Sequence, residues 1–111
     1  GIVPQMDKYG ILQDVHWSLG HFGYFPTYTL GNLYAAQFFT KLCDDMPEVF
    51  DRISQGHLID VKNWLNENIH SYGSRLTAEE LVQNVTGRPL STEDFTNYLK
   101  KKFNSLYNLN D

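Results

Sequence analysis

An apolar ridge in the first half of the sequence restricts the fold of this chain more than any other feature. Four apolar side chains recur at intervals of four residues: Leu30, Tyr34, Phe38 and Leu42. That interval places them on one face of an α-helix. Pro26 suits the first turn of this helix, where its missing N–H costs no hydrogen bond. We therefore predict a helix from Pro26 to about Asp45.

Further apolar residues extend this surface around most of the predicted helix. They are Leu33, Ala35, Ala36 and Phe39. A helix that is apolar on nearly all sides requires burial. A chain of 111 residues can hardly supply that cover alone. We therefore expect this helix to pack against other parts of a larger protein or against a second copy.

The rest of the sequence also carries helix signals. Pro47 and Gly56 bracket a short helix, and a longer apolar pattern runs from Leu58 to Tyr72, with Gly73 as its C-cap. Predicted helices also lie at 77–87, where Thr77 and Glu80 suggest a capping box, and from Ser91 onward, with Ser91 as the cap. Because no alternating pattern of strands competes with these signals, the sequence predicts an all-α fold.

Composition excludes several classes of partner. The net charge of −4 argues against nucleic acid, since binding phosphate needs clustered basic residues and only 100–102 form a basic run. The single cysteine, Cys43, excludes an internal disulfide and fits a reducing compartment; we expect it to be a buried structural thiol. There is no signal-peptide pattern and no apolar run long enough for a bilayer. We therefore expect a cytoplasmic protein without membrane contact.

Two nearby segments suggest a functional site. Residues 10–17 read GILQDVHW, and residues 23–31 read GYFPTYTLG. Together they bring glycines, phenols, an imidazole and a carboxylate into one short stretch. That combination is typical of the wall of an active site.

These two segments resemble, almost letter for letter, the motifs GxxQDxHW and GYFPTYxLG of the carboxypeptidase Taq family of zinc metallocarboxypeptidases. The resemblance runs along the whole chain and includes the segment TGRPL at 86–90. It implies the C-terminal helical portion of a larger, mostly helical, zincin-type metallopeptidase. Residues 1–111 would be a single helical fragment, in which 1–31 form the active-site wall and 32–111 the helical support.

The zinc-binding HExxH pattern of that family does not occur in this sequence. Its four histidines are His16, His21, His57 and His70. None is followed by Glu, and no two are spaced for one helical turn. The resemblance therefore implies zinc in the full-length enzyme and no metal ligand here. A start at Gly1 without Met favours a fragment, and the alternative is a tag-cleavage remnant on a short reading frame.

The resemblance implies catalytic roles for His16, Tyr24 and Tyr28. A phenol can donate a hydrogen bond where negative charge develops on the substrate, and Tyr28 is the first choice for this oxyanion contact, with Tyr24 second. The alternative for His16 is a structural histidine.

Three further residues are predicted to bind substrate or to support the site: Gln13, Asp14 and His21. Asp14 would fix the imidazole tautomer of His16 or hold the loop; its alternative role is an ordinary helix N-cap. Leu19 and His21 replace the small residues usual in the family. These larger side chains either narrow the substrate groove or simply differ between lineages of the family.

Two functions from different classes remain open. In the first, the chain is part of a metal-dependent carboxypeptidase that releases C-terminal amino acids from peptides with broad specificity. Its partners are then peptides and the rest of the enzyme or a second copy, with a homo-oligomer expected, and the chain alone is inactive. In the second, it is a non-catalytic helical module that self-associates through exposed apolar surface. A third option, a separate metal site made of the histidines, has no support from their spacing.

Overall fold

The computed structural model describes residues 1–109, and all regular secondary structure in this range is helical. Its five α-helices are α1 (Pro26–Asp45), α2 (Val49–Ser54), α3 (Leu58–Asn68), α4 (Ala78–Thr86) and α5 (Glu93–Tyr107). Single-turn 3-10 helices lie at Asp7–Tyr9, Ile11–Gln13 and His70–Tyr72. The predicted all-α class is confirmed. Positions 110 and 111 of the predicted fragment lie outside the described residues.

Several helix ends follow directly from the local sequence. Helix α1 spans the predicted range. At the start of α4, Thr77 Oγ1 accepts a hydrogen bond from the Glu80 N–H (3.2 Å), and the Glu80 carboxylate accepts one from the Thr77 N–H (2.8 Å). This is the predicted capping box. Gly87 ends the helix with a φ of 75°, in the left-handed region that favours glycine.

The prediction for α3 was too long. The helix ends at Asn68, and Ile69 leaves the helical region with φ −125° and ψ −62°. The side-chain amide of Asn68 donates to the Trp64 carbonyl (2.9 Å). The remaining turn, His70–Tyr72, is a 3-10 helix that ends at Gly73, whose φ is 57°.

The start of α5 differs from the prediction by one residue. Thr92, which makes no side-chain capping bond, occupies the N-cap position. Ser91 Oγ nevertheless accepts a hydrogen bond from the Glu93 N–H (3.1 Å). The predicted Ser91 hydroxyl therefore does satisfy a donor in the first turn of the helix.

The chain comprises two compact units, Gly1–Leu30 and a second that begins at Gly31. The core of the second unit contains five apolar side chains that are at most 9% exposed: Leu42, Val49, Trp64, Val82 and Val85. Partly buried apolar residues from α1, α3 and α4 pack around it. The proposed division of roles between 1–31 and 32–111 stays a prediction.

Helix α1 is only partly covered by the other described residues. Leu42 is 2% exposed, whereas Phe39 remains 41% exposed. Cys43 is only partly buried, and this burial raises the pKa of its thiol, which disfavours the reactive thiolate. Across residues 1–109, no helix combines the length and the apolar character needed to cross a membrane.

Candidate functional site

Residues 14–21 fold into a compact turn around His16. The His16 carbonyl accepts hydrogen bonds from two backbone N–H groups, those of Leu19 (3.2 Å) and His21 (2.8 Å). Gly20, between them, has a φ of 78°, a conformation that strains other residues. The backbone of His16 is therefore tied directly to the two residues that flank Gly20.

The Asp14 carboxylate contacts both the ring and the backbone of His16. Asp14 Oδ1 lies 2.8 Å from His16 Nδ1 and accepts a hydrogen bond from the His16 N–H at 3.1 Å. These bonds hold the pKa of the Asp14 carboxyl below its ordinary value. Because an ionised carboxylate only accepts hydrogen bonds, the Nδ1 of His16 carries the proton. In the neutral ring, Nε2 is then the acceptor.

This contact distinguishes between the two roles that the sequence suggested for Asp14, namely a partner of His16 and a helix N-cap. Asp14 follows the 3-10 helix Ile11–Gln13 and stands at its C-terminal end. Its side chain bonds to the residue two positions further on, a local turn that Asp readily forms. Asp14 is therefore not the N-cap of a helix.

The phenols of Tyr24 and Tyr28 meet edge to face. Their ring centroids are 5.2 Å apart with an interplanar angle of 88°, and Tyr28 Oη donates to Tyr24 Oη at 3.4 Å. This bond raises the pKa of Tyr28 above its ordinary value. Tyr24 also stacks on the imidazole of His16 at 5.5 Å. The three residues predicted to be catalytic thus lie together.

A cavity of about 270 Å³ opens beside these rings. Its lining is Val15, His16, Leu19, His21, Tyr24 and Tyr28. Val15 and Leu19 contribute aliphatic surface, and the other four contribute polar rings. His21 therefore lies beside the predicted catalytic group, and its ring is 5.9 Å from that of Tyr24.

Gln13 is placed differently from the other predicted site residues. It is not among the residues that line the cavity. Its side-chain amide donates a hydrogen bond to the carbonyl of Lys8. This contact bridges the two 3-10 helices at the start of the chain, so Gln13 supports the backbone that leads to Asp14.

The aromatic residues near the cavity contact one another or His16. The Phe25 ring centroid lies 4.7 Å from that of His16, and Trp17 pairs with Phe22 at 5.5 Å. Each contact of this kind between two rings contributes about 1 kcal/mol to their arrangement. Phe25 therefore supports the orientation of the imidazole.

Within residues 1–109, no group of three His, Cys, Asp or Glu side chains is placed to hold a metal ion. His16 and His21 share the cavity, but a zinc site in a protein has at least three protein ligands.

One buried polar network in the second unit was not among the sequence-based predictions. Gln37 is 0% exposed. Its Nε2 donates to Thr86 Oγ1 (3.0 Å) and to the Pro89 carbonyl (3.1 Å), and its Oε1 accepts from the Ser91 N–H (2.9 Å). The available signal was a lone amide among the apolar residues of α1. The hydrogen bonds of Gln37 connect α1 to the loop between α4 and α5.

Arg88, to which the sequence assigned no role, makes an ion pair in the same loop. Its guanidinium donates to both carboxylate oxygens of Asp94, at 2.8 and 2.6 Å. The Asp94 side chain is 8% exposed, and that of Arg88 is 40% exposed. The pair therefore holds the loop against the first turn of α5 and is distant in sequence from the cavity residues.

Comparisons with known proteins agree on one family. Residues 1–103 match the family described as Carboxypeptidase Taq (M32) metallopeptidase. Carboxypeptidase 1 of Bacillus subtilis is 43% identical over 107 residues, and Thermostable carboxypeptidase 1 of Thermus thermophilus is 47% identical over 107 residues. Each alignment covers 96% of this chain and 21% of the relative. The chain thus spans about a fifth of the length of these relatives.

A solved structure supports the same relationship. The crystal structure of BsuCP superimposes with a TM-score of 0.82 at 42% sequence identity. The match covers 96% of this chain and 21% of that one. The helices described above therefore have a counterpart within a much longer chain.

Proposed function

This chain belongs to the carboxypeptidase Taq (M32) metallopeptidases, and on that premise we propose that it supplies substrate-groove and oxyanion-stabilising residues to a metal-dependent carboxypeptidase. Such an enzyme would release C-terminal amino acids from peptides with broad specificity. In this proposal the metal is zinc, and its ligands belong to parts of the full-length enzyme outside the matched segment.

The observation that carries this proposal is the convergence of His16, Tyr24 and Tyr28 on one cavity. Hydrolysis of a peptide bond places negative charge on the former carbonyl oxygen, and donors aimed at that position lower the barrier. Tyr28 is protonated and now donates to Tyr24 over 3.4 Å. Redirecting it to the oxyanion costs only this long hydrogen bond, so Tyr28 is the first donor and Tyr24 the second.

We propose a more restricted role for His16 than the sequence suggested. With its Nδ1–H donated to Asp14, the neutral ring offers Nε2 only as an acceptor. In our proposal, neutral His16 accepts a hydrogen bond from a substrate N–H group, and it donates to the oxyanion only as the imidazolium. Asp14 is a positioning residue that acts through His16.

The remaining predicted substrate contacts have unequal support. His21 lines the cavity, so we propose that its imidazole meets the substrate. Gln13 bonds to the Lys8 carbonyl and would act indirectly, by holding the turn that presents Asp14.

A chimera tests the proposed function. This chain would replace the matching segment of Carboxypeptidase 1 from Bacillus subtilis, with which it shares 43% identity. We expect the chimera to release C-terminal residues from peptides. Tyr28→Phe should lower kcat about 100- to 1,000-fold, the usual effect of losing one oxyanion donor.

Tyr9→Phe is the matched control, because Tyr9 lies in the same unit but does not line the cavity. The melting temperature of each chimera establishes that it is folded. A folded chimera without release, or equal kcat for the Tyr28 and Tyr9 variants, would contradict the proposal.

The chain alone should neither bind zinc nor cleave peptides. The measurement is the zinc content of the purified 111-residue chain, together with C-terminal residue release from a simple peptide. Stoichiometric zinc with release that a chelator abolishes would overturn the proposed division between this chain and the rest of the enzyme.

Exposed aromatic surface in the second unit favours a second candidate function, a helical module that self-associates. Phe50 is 62% exposed and Tyr98 is 52% exposed, and the Phe50 ring lies 5.8 Å from that of Phe39. Exposed apolar patches commonly mark interfaces. Sedimentation velocity would detect a homo-oligomer, and Phe50→Asp should dissociate it.

Cellular location forms the last part of the proposal. We propose a cytoplasmic enzyme, as the single cysteine suggests. Fractionation of cells that express the full-length protein tests this, and recovery in the culture medium would contradict it.

A further inference from the structure

One wall of the cavity beside Tyr28 is aliphatic, and the proposed mechanism of hydrolysis assigns no role to it. Val15 and Leu19 form this wall, and they are 57% and 69% exposed. Neither side chain can donate or accept a proton. Their contribution to a hydrolytic site would therefore lie in binding.

The wall is held in place although it is exposed. The N–H of Leu19 donates to the carbonyls of both Val15 (3.1 Å) and His16 (3.2 Å). One turn thus fixes the backbone positions of Val15, His16 and Leu19 relative to one another. A ligand group on this wall would therefore lie in the same cavity as the polar rings.

The size of the cavity limits what it can hold. Pockets for drug-sized ligands have volumes of roughly 300–1,000 Å³, and this cavity has about 270 Å³. It therefore suits one amino-acid side chain with its amide groups rather than a longer stretch of peptide.

We propose that Val15 and Leu19 form a specificity pocket for an aliphatic side chain of the peptide residue whose amide group meets His16 and Tyr28. This inference rests on the proposed function, since it concerns the same cavity. Leu19 is the main specificity-determining residue, and its side chain sets the preference for aliphatic over small residues.

A binding experiment on the whole 111-residue chain tests this without any catalysis. N-acetyl-leucine amide and N-acetyl-glycine amide are titrated into the protein, and methyl NMR signals are followed. We expect the Val15 and Leu19 methyl groups to shift and the leucine compound to bind at least roughly tenfold more tightly. Leu19→Ala should reduce that ratio severalfold.

Leu12→Ala is the matched control. Leu12 is 67% exposed, close to the value for Leu19, and lies in the same unit without lining the cavity. Leu19→Asn keeps the approximate size of the side chain and removes its aliphatic character, so it should also lose the preference. Equal binding of the two compounds, or equal effects of the Leu19 and Leu12 substitutions, would overturn the inference.

The outcome is separable from that of the chimera. A preference for the leucine compound that depends on Leu19 supports the pocket even where the chimera is inactive, and then only the proposed function fails. An active chimera together with equal binding of both compounds overturns the pocket alone.

Discussion

Asp14 Oδ1 lies 2.8 Å from His16 Nδ1 and also accepts the His16 backbone N–H. One carboxylate thus sets both the ring proton and the local turn. His70 offers an internal comparison, since its Nδ1 lies 2.9 Å from the amide oxygen of Asn66. The two histidines differ in whether the partner is charged, and charge-assisted hydrogen bonds are about twice as strong as neutral ones.

Replacing Asp14 with Ala should release the His16 tautomer. In the wild type we expect the Nδ1–H form to dominate the neutral ring, and in Asp14→Ala we expect a mixture of both tautomers. Long-range proton–nitrogen NMR distinguishes them directly. Asp7→Ala is the control, and His70 should keep its wild-type signals in both variants. An unchanged His16 spectrum in Asp14→Ala would exclude the positioning role.

The Asp14 contact should also depend on pH. The pKa of Asp14 is lower in the folded chain than in the unfolded one. The stabilisation of the fold by ionised Asp14 is therefore fully present above the ordinary carboxyl pKa, about 3.9. It is lost as the pH falls through the lowered pKa. We expect the NMR signal of the Asp14 side-chain carboxyl carbon to titrate with a midpoint at a lower pH than that of an unperturbed aspartate.

Removing the Tyr24 hydroxyl should lower the pKa of Tyr28. The hydrogen bond from Tyr28 to Tyr24 raises that pKa, so Tyr24→Phe should return it toward the ordinary value of about 10. NMR titration of the Tyr28 ring measures the change, with Tyr9→Phe as the control. A Tyr28 titration that is the same in both variants would show that the phenols do not interact in solution.

Gln37 should contribute to stability far more than an exposed glutamine. In Gln37→Ala the partly buried Ser91 N–H loses its partner, and a buried group left unsatisfied costs at most about 1–3 kcal/mol. We expect the free energy of unfolding to fall by that amount in urea denaturation. Gln83→Ala, at an exposed position of α4, should change it by less than about 0.5 kcal/mol. Similar losses for both substitutions would refute the role assigned to the buried amide.

The capping box of α4 predicts a second pH effect. The backbone N–H and the side chain of Thr77 lower the pKa of Glu80. The cap therefore stabilises the helix above the ordinary glutamate pKa, about 4.3, and weakens as the pH falls through the lowered value. Thr77→Ala should cost about 1 kcal/mol at neutral pH. Thr96→Ala, in the interior of α5, is the control. Its loss of stability should be smaller than that of Thr77→Ala, because Thr96 does not cap a helix.

Local signals predicted most of the fold. Pro26 and the ridge that ends at Leu42 defined α1, and the Thr77 and Glu80 pair defined the start of α4. These signals succeeded because they act between residues within about one turn of a helix. The motif at 10–17 likewise identified Asp14 and His16, which are two residues apart, and their contact forms within that short stretch.

Tertiary structure alone decided the features that depend on distant or competing partners. The burial of Gln37 depends on acceptors and a donor about 50 residues further along the chain, which no local pattern encodes. The end of α3 at Asn68 was also not predicted by the apolar spacing, which continues to Tyr72. The sequence by itself determined the helices and the short-range pair of Asp14 and His16, because both depend on nearby backbone and side-chain groups. Only the folded chain decided that the Gln37 side chain is buried, because its hydrogen-bond partners lie about 50 residues away in the sequence.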